Sequence, residues 1–367
     1  MEIKTIKQYY FPLNFSVADM QPNILLMCKL LFILLCAHGF LSYIEDPYIP
    51  FIKTFDLFLS YPNIFKITFK TLFLFSGLSL LFNFKPRAMS IILGSSLFII
   101  LLASKSLFRN HLFICACAFL LAGLSNKNEF PWLLYFQLSL VYFGAVLNKV
   151  VQIDWWNGQF IYNWLVNARE NQLFIKVSDV FPEMWLAKIL SWSSMLIEFS
   201  ISIFILVKKR HFLVAWVIIL FHTILYTMTA FRFGHFYEDI VIILLIFINW
   251  PSGIIQISSK NVISPFVRKS FNFFNFSKKF HLINNVLSNK NWLEIKIEDK
   301  TVSNWHAFRL FLLYSTNFYI FLFLLDLLVR FMFNGFLMNF IHISLTWLCI
   351  LFFIPLLFGK KIKKNVV

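Results

Sequence analysis

The sequence predicts an all-α polytopic membrane protein, a bundle of about ten transmembrane helices (range eight to eleven) with both termini inside. Three observations predict it. Apolar residues make up 59% of the 367 positions and include 49 phenylalanines, which excludes an ordinary soluble domain. They gather into runs of about 18–22, the length a helix needs to cross roughly 30 Å of hydrocarbon. Between the runs, Lys and Arg concentrate on one side of the alternating connections, as the positive-inside tendency requires.

The runs lie near residues 24–43, 67–84, 89–107, 111–125, 131–148, 186–207, 211–231, 240–256, 310–329 and 337–358. With ten crossings, one face collects 21 Lys and Arg against 6 acids, and the other 11 against 9. The triplet at 208–210, the segment 257–309 and the tail at 360–364 carry most of that bias, so the basic face is expected to be cytoplasmic. The formal charge of +16 then reflects topology, which excludes nucleic acid as a partner and leaves the lipid bilayer. The first run is too long for a cleavable signal and lacks a small-residue cleavage pattern, so it reads as a retained helix. All five cysteines sit in apolar runs without metal or redox spacing; free thiols and no metal are expected.

Residues 1–22 are amphipathic and should lie along the inner surface. Residues 43–56 are broken by proline and carry Glu45, Asp46 and Asp56, an expected outer loop. The next outer connection, residues 105–111, is basic, with Lys105, Arg109, Asn110 and His111. A short basic hairpin there either anchors the chain or meets an anion.

The stretch at 141–158, VYFGAVLNKVVQIDWWNG, delivers Lys149 at the outer end of an apolar run, just before Asp154, Trp155 and Gly158. A lysine near an interface is ordinarily a snorkelling anchor. The tryptophan-rich segment 149–185 belongs at headgroup level, with 158–167 as a short surface helix. Glu198 and His222 interrupt the next two runs about ten and twelve residues from the 208–210 anchor, roughly 15–18 Å deep. At one depth on consecutive helices they are expected to pair, since either alone in lipid is costly. Arg232, His235, Glu238 and Asp239 crowd the outer loop at 229–239, as a salt-bridged cap or a substrate-orienting patch. In residues 251–308, Asn-, Ser- and Lys-rich, LEIKI alternates before Glu298-Asp299-Lys300 and predicts a small hairpin. Asp326 and Arg330 stand at i, i+4 and read as a helix salt bridge. No internal repeat, Gly-rich phosphate loop, Ser/His/Asp set, HExxH or CxxC occurs.

Tyr142-Phe-Gly-Ala-Val-Leu-Asn-Lys149, followed by Asp154-Trp155 and Gly158, resembles a segment of the vitamin K-dependent γ-carboxylases. These are grouped with bacterial membrane proteins in the HTTM (horizontally transferred transmembrane) family. Asn110-His111, the acid of Leu196-Ile-Glu198, and Phe221-His222 resemble three further family stretches, in order, over about residues 20–255. The spacing after Lys149 is one residue longer than the family pattern, and 367 residues are expected to leave no room for the large propeptide-recognising portion of the eukaryotic enzymes.

The resemblance implies an HTTM/γ-carboxylase-like bundle at 1–255, a polar cytoplasmic connector at 256–308, and a helix pair with a basic tail at 309–367. It implies Lys149 as a proton-transfer base with His111 and His222 as catalytic neighbours. Asn110, Arg109, Asp154, Trp155, Glu198, Arg232 and His235 would line the cavity. A lysine acts as a base only as the neutral amine, so such a site must disfavour its charged form. The implied activity is a γ-carboxylase-like lyase or oxygenase at the outer face, acting on a peptide or lipid-soluble substrate with a reduced quinone as co-substrate. The alternatives are an accessory protein for maturation or export of a secreted peptide such as a toxin, and a transporter or lipid-binding scaffold. The expected location is a bacterial cytoplasmic (inner) membrane, spanned many times.

Overall fold

The computed structural model describes residues 10–15, 18–229, 234–248, 255–259, 265–275, 280–283, 291–297 and 300–332. In chain order its principal helices are α1 (Pro22–Ala37), α2 (Pro62–Leu81), α3 (Pro86–Ala103), α4 (Asn110–Leu124), α5 (Trp132–Val150), α6 (Trp185–Ile205), α7 (His211–Met228), α8 (Gly234–Ile243), α9 (Pro265–Phe274), α10 (Asn304–Leu313) and α11 (Thr316–Met332). Four strands, β1 (Ile255–Ser259), β2 (Phe280–Ile283), β3 (Leu293–Ile297) and β4 (Lys300–Ser303), interrupt them after α8. The chain divides into two units, Met1–Glu129 with Ile248–Val367, and Phe130–Phe247.

Four helices are long and apolar enough to cross a membrane: Pro62–Leu81, Pro86–Ala103, Trp132–Val150 and Pro182–Ile205. Pro22–Ala37, Asn110–Leu124 and Leu213–Met228 are apolar but shorter. Proline opens α1, α2 and α3, where its missing N–H costs nothing because the first turn has no intrahelical acceptor for it. The run at 337–358, the tail, the side chains of Asp326 and Arg330, and the turn at Glu298-Asp299 lie outside the described residues.

In the first unit, α3 and α4 approach closely because each offers a glycine to the other's backbone. A Cβ on Gly94 would stand 2.5 Å from the Leu120 nitrogen, and one on Gly123 would stand 2.5 Å from the Arg87 carbonyl oxygen. Small residues let apolar helices pack where lipid supplies no hydrophobic drive. Ser90 adds a hydroxyl bond to the Phe119 carbonyl at 2.7 Å. Gly94→Leu should therefore wedge the pair apart and lower the melting midpoint in detergent, overpacking costing about 1–3 kcal/mol or more.

A buried lysine in the middle of α1, Lys29, ties that helix to the end of α2 and to the segment before α1. Lys29 Nζ donates to the Pro12 carbonyl at 2.6 Å and to Asn83 Oδ1 at 2.7 Å, and it lies 4.7 Å from the Phe15 ring centroid. Asn83 holds a left-handed φ of 60° just beyond α2, and its Nδ2 donates to the Phe11 and Asn14 carbonyls at 3.0 and 2.9 Å. Two side chains thus satisfy the carbonyls of a segment that has no secondary structure of its own.

The same unit holds a small sheet, which corrects the all-α expectation. Its strand order is β2-β1-β3-β4. β3 and β4 are antiparallel, as the alternating LEIKI predicts, with Ile297 opposite Lys300. β1 lies antiparallel to β3 and parallel to β2, the parallel link running through α9. Ile255, Ile257, Phe280 and Ile295 from the strands and Ala307, Leu310 and Phe311 from α10 form its core.

The second unit contains α5–α8 and the interfacial stretch between α5 and α6. The expected outer loop at 229–239 is shorter than predicted. Gly234 already begins α8, so His235, Glu238 and Asp239 are helical, with Tyr237, Asp239 and Ile240 buried. The apolar pattern reaches back through Tyr237 and extends the helix toward the loop, while residues 230–233 lie outside the described residues.

Candidate functional site

The site is built on the inward stripe of α5. Tyr135, Leu138, Ser139, Tyr142 and Val146 are buried at helical spacing, and Lys149 continues their line one turn on. The opposite stripe, Leu133, Phe136, Leu140, Phe143 and Leu147, is exposed, as suits a surface facing lipid. α6 repeats the design: Ser191, Met195, Glu198 and Ser202 are buried, while Trp192, Leu196, Phe199 and Ile203 are exposed. Ser139 Oγ ties the two helices by donating to the Ser202 carbonyl at 2.7 Å.

Where the stripes meet, the Lys149 ammonium forms an ion pair with the Glu198 carboxylate. The Lys149 side chain is 15% exposed and that of Glu198 9%. Lys149 Nζ also reaches Ser194 Oγ at 3.4 Å and sits 4.6 Å from the Trp155 ring centroid, a cation–π contact. Two turns back along α5, Tyr142 Oη and His222 Nε2 share a hydrogen bond of 2.8 Å. His222 is buried, and its Nδ1 has no partner among the described residues. The rings of Phe221 and Phe236 flank it, with centroids 5.2 and 5.3 Å away.

The expected Glu198–His222 pair is therefore not formed. Equal depth on consecutive helices is not proximity: α6 packs its polar stripe against α5, and a carboxylate prefers the cation there to an imidazole. Tyr142, quoted within the motif but given no role, takes the imidazole instead.

A turn after α5 holds the roof. The short helix Ile153–Trp156 buries Trp155, whose carbonyl accepts from Ser191 Oγ and whose ring stacks on Phe160 at 4.4 Å. Gly158 has φ of 81°, and a Cβ there would stand 2.7 Å from the Lys188 nitrogen, so the bend needs glycine. Gln159–Tyr162 then runs without a break into the wider-wound Asn163–Ala168, the short helix expected at 158–167. Asn171 caps Gln172–Ser178 and donates to the Met228 carbonyl at 2.8 Å, fastening this stretch to α7. Trp156, Trp185 and Trp192 stay exposed, and Trp192 Nε1 donates to the Trp156 carbonyl at 3.0 Å. Indoles with one polar edge favour headgroup depth. Glu198, six residues beyond Trp192, lies about 9 Å along α6 from that indole.

The other predicted site residues distribute as follows. Asp154 is exposed and forms no ion pair with Lys149, and His235 is exposed on the first turn of α8. Arg232 lies outside the described residues. Arg109, Asn110 and His111 belong to the other unit, where Asn110 opens α4 as expected. Arg109 there turns back on its own loop, donating to the Phe108 and Ser106 carbonyls at 2.9 and 3.2 Å. Cys28, Cys36, Cys115 and Cys117 form no disulfide with one another, and Cys349 lies outside the described residues.

Several apolar helices long enough or nearly long enough to span, with a buried ion pair on inward stripes, define a helical integral membrane protein. Residues 130–250 match the HTTM domain, a stretch that nearly coincides with the second structural unit. The resemblance of 142–158 to γ-carboxylase membrane domains falls inside it and follows from that family. No curated protein and no solved structure matches the chain.

Proposed function

We propose that the second unit is a membrane enzyme whose proton-transfer centre is Lys149 with Glu198, supported by the Tyr142–His222 pair, acting at the outer face on a peptide or lipid-soluble substrate. The observation that carries this reading is the Lys149–Glu198 contact itself. An ammonium cannot accept a proton. The carboxylate bonded to it can take one from Nζ, leaving a neutral amine and a neutral acid side by side, and the amine can then deprotonate a substrate. The low polarity of the stripe favours such a neutral pair over separated charges. Trp155 covers the amine and keeps bulk water from levelling it.

A reduced quinone is the co-substrate suggested by the resemblance, and it would supply reducing electrons. The partnerless Nδ1 of His222, with Phe221 and Phe236 beside it, suits a quinol hydroxyl and an aromatic ring. We further assign ten spans to the full chain, with both termini on the basic, cytoplasmic side of a bacterial inner membrane. The Trp belt then marks the outer leaflet.

The test supplies membranes containing the protein with reduced quinone, oxygen, labelled bicarbonate and a glutamate-bearing peptide. Wild type should fix label into the peptide, and Lys149→Ala should lose it by about 10²–10⁴-fold, the usual contribution of a general base. No incorporation by wild type removes carboxylation; incorporation undiminished in Lys149→Ala removes the lysine from the chemistry.

A further inference from the structure

Outside residues 130–250, α9 presents an exposed edge. Phe271 and Phe274 turn inward onto the sheet core, Phe271 stacking on Phe311 at 5.3 Å. Lys269, Asn272 and Phe273 face outward and are exposed, Phe273 to 52%. Lys269 and Phe273 stand at i, i+4, so a cation and an aromatic ring share one exposed strip.

The end of this helix is stapled to the start of α11. Asn317 Nδ2 donates to the Phe273 carbonyl at 2.6 Å, and Ser315 Oγ donates to that of Phe274. Both side chains are buried. Phe273 therefore stands level with the first turn of α11. One turn further along that helix, about 5.4 Å, begins a stripe of exposed apolar residues: Phe321, Leu324, Leu328 and Met332. In a membrane protein an exposed apolar stripe of this kind suits acyl chains, and the turn just before it would then stand at headgroup level. The segment 256–309 carries nine Lys and Arg against three acids, a charge complementary to anionic lipid.

We propose that the Lys269–Phe273 edge of α9 rests on the bilayer surface that α11 enters, with Phe273 at the acyl boundary and Lys269 among anionic headgroups. The sheet is then a surface-bound module that sets the depth and tilt of α11. This interaction is independent of the chemistry assigned to Lys149.

The experiment uses the full chain in nanodiscs doped with photoactivatable phosphatidylglycerol or photoactivatable phosphatidylcholine, with adducts mapped by peptide mass spectrometry. The α9 peptide should carry adducts, several-fold more from the phosphatidylglycerol probe. Lys269→Glu should abolish that preference, and Phe273→Ser should cut the adducts several-fold. Adducts on α2, which lies far along the chain, report that each variant is still folded in the bilayer. Absence of α9 adducts, equal labelling by the two probes, labelling unchanged in both variants, or α9 protected by a second copy of the chain would each overturn the proposal.

Discussion

Glu198→Leu should destabilise the second unit, Phe130–Phe247, by about 3–5 kcal/mol, because it leaves the Lys149 ammonium half-buried without its carboxylate. Lys149→Met should do the same from the other side. Both side chains of this ion pair are largely shielded from water. Thermal melts of purified protein in detergent, followed by tryptophan fluorescence, read the loss. Replacing both partners with apolar side chains should recover much of it, since a membrane interior accepts Leu and Met where it rejects a lone charge. Neither single variant should alter α3–α4 packing in the other unit, so Gly94→Leu serves as an independent reference.

Lys29→Met should be nearly as damaging, at about 2–4 kcal/mol, given that a hydrogen bond to a charged group is worth about 1.5–3. The methionine fills the space but leaves the Pro12 carbonyl and Asn83 Oδ1 without their shared donor. Asn83 would then hold its left-handed backbone with one anchor fewer. Limited proteolysis should cut near residues 10–15 sooner than in wild type, together with a lower melting midpoint. An unchanged cleavage rate and midpoint would show that Lys29 is not the clamp of this segment.

Much of this architecture can be read from the chain, and the residues show where reading stops. Apolar runs locate helices because backbone polarity must be satisfied internally in lipid, and α2–α7 fall within a few residues of the expected spans. Lys149, Glu198 and His222 stand out because each interrupts such a run. Their pairing does not stand out, because depth is set by rise per residue whereas partnership is set by which helix faces pack. α5 lies against α6 through Ser139, Ser202 and the ion pair, and that is a property of three-dimensional packing. Tyr142 was hidden by being a good membrane residue as well as a hydrogen-bond donor. Lys29 carried a usable signal, a lone cation in α1 among apolar neighbours, which depth arithmetic alone would have exposed. The sheet was legible only at β3–β4, where alternation and a polar turn coincide. The parallel β1–β2 contact depends on a crossover through α9, and local pattern says nothing about it.

The centre also explains why Gly158 and the Trp155 bend accompany Lys149. The lysine ends α5, so its ammonium would snorkel to the surface unless something covered it. The bend folds an indole over it, and Ser191 on α6, two turns from Glu198, holds that bend by its carbonyl. Chain reversal, roof and counterion thus come from neighbouring turns of two packed helices, which is why the motif at 142–158 is compact in sequence.

The most direct measurement is a double-mutant cycle between Lys149→Met and Glu198→Leu, read as unfolding free energy in one detergent. The structure predicts that the double variant is more stable than the sum of the single losses allows, with a coupling of about 2 kcal/mol or more. Strictly additive losses would mean that Lys149 and Glu198 do not meet, and the proton-transfer centre proposed for this unit would have no basis.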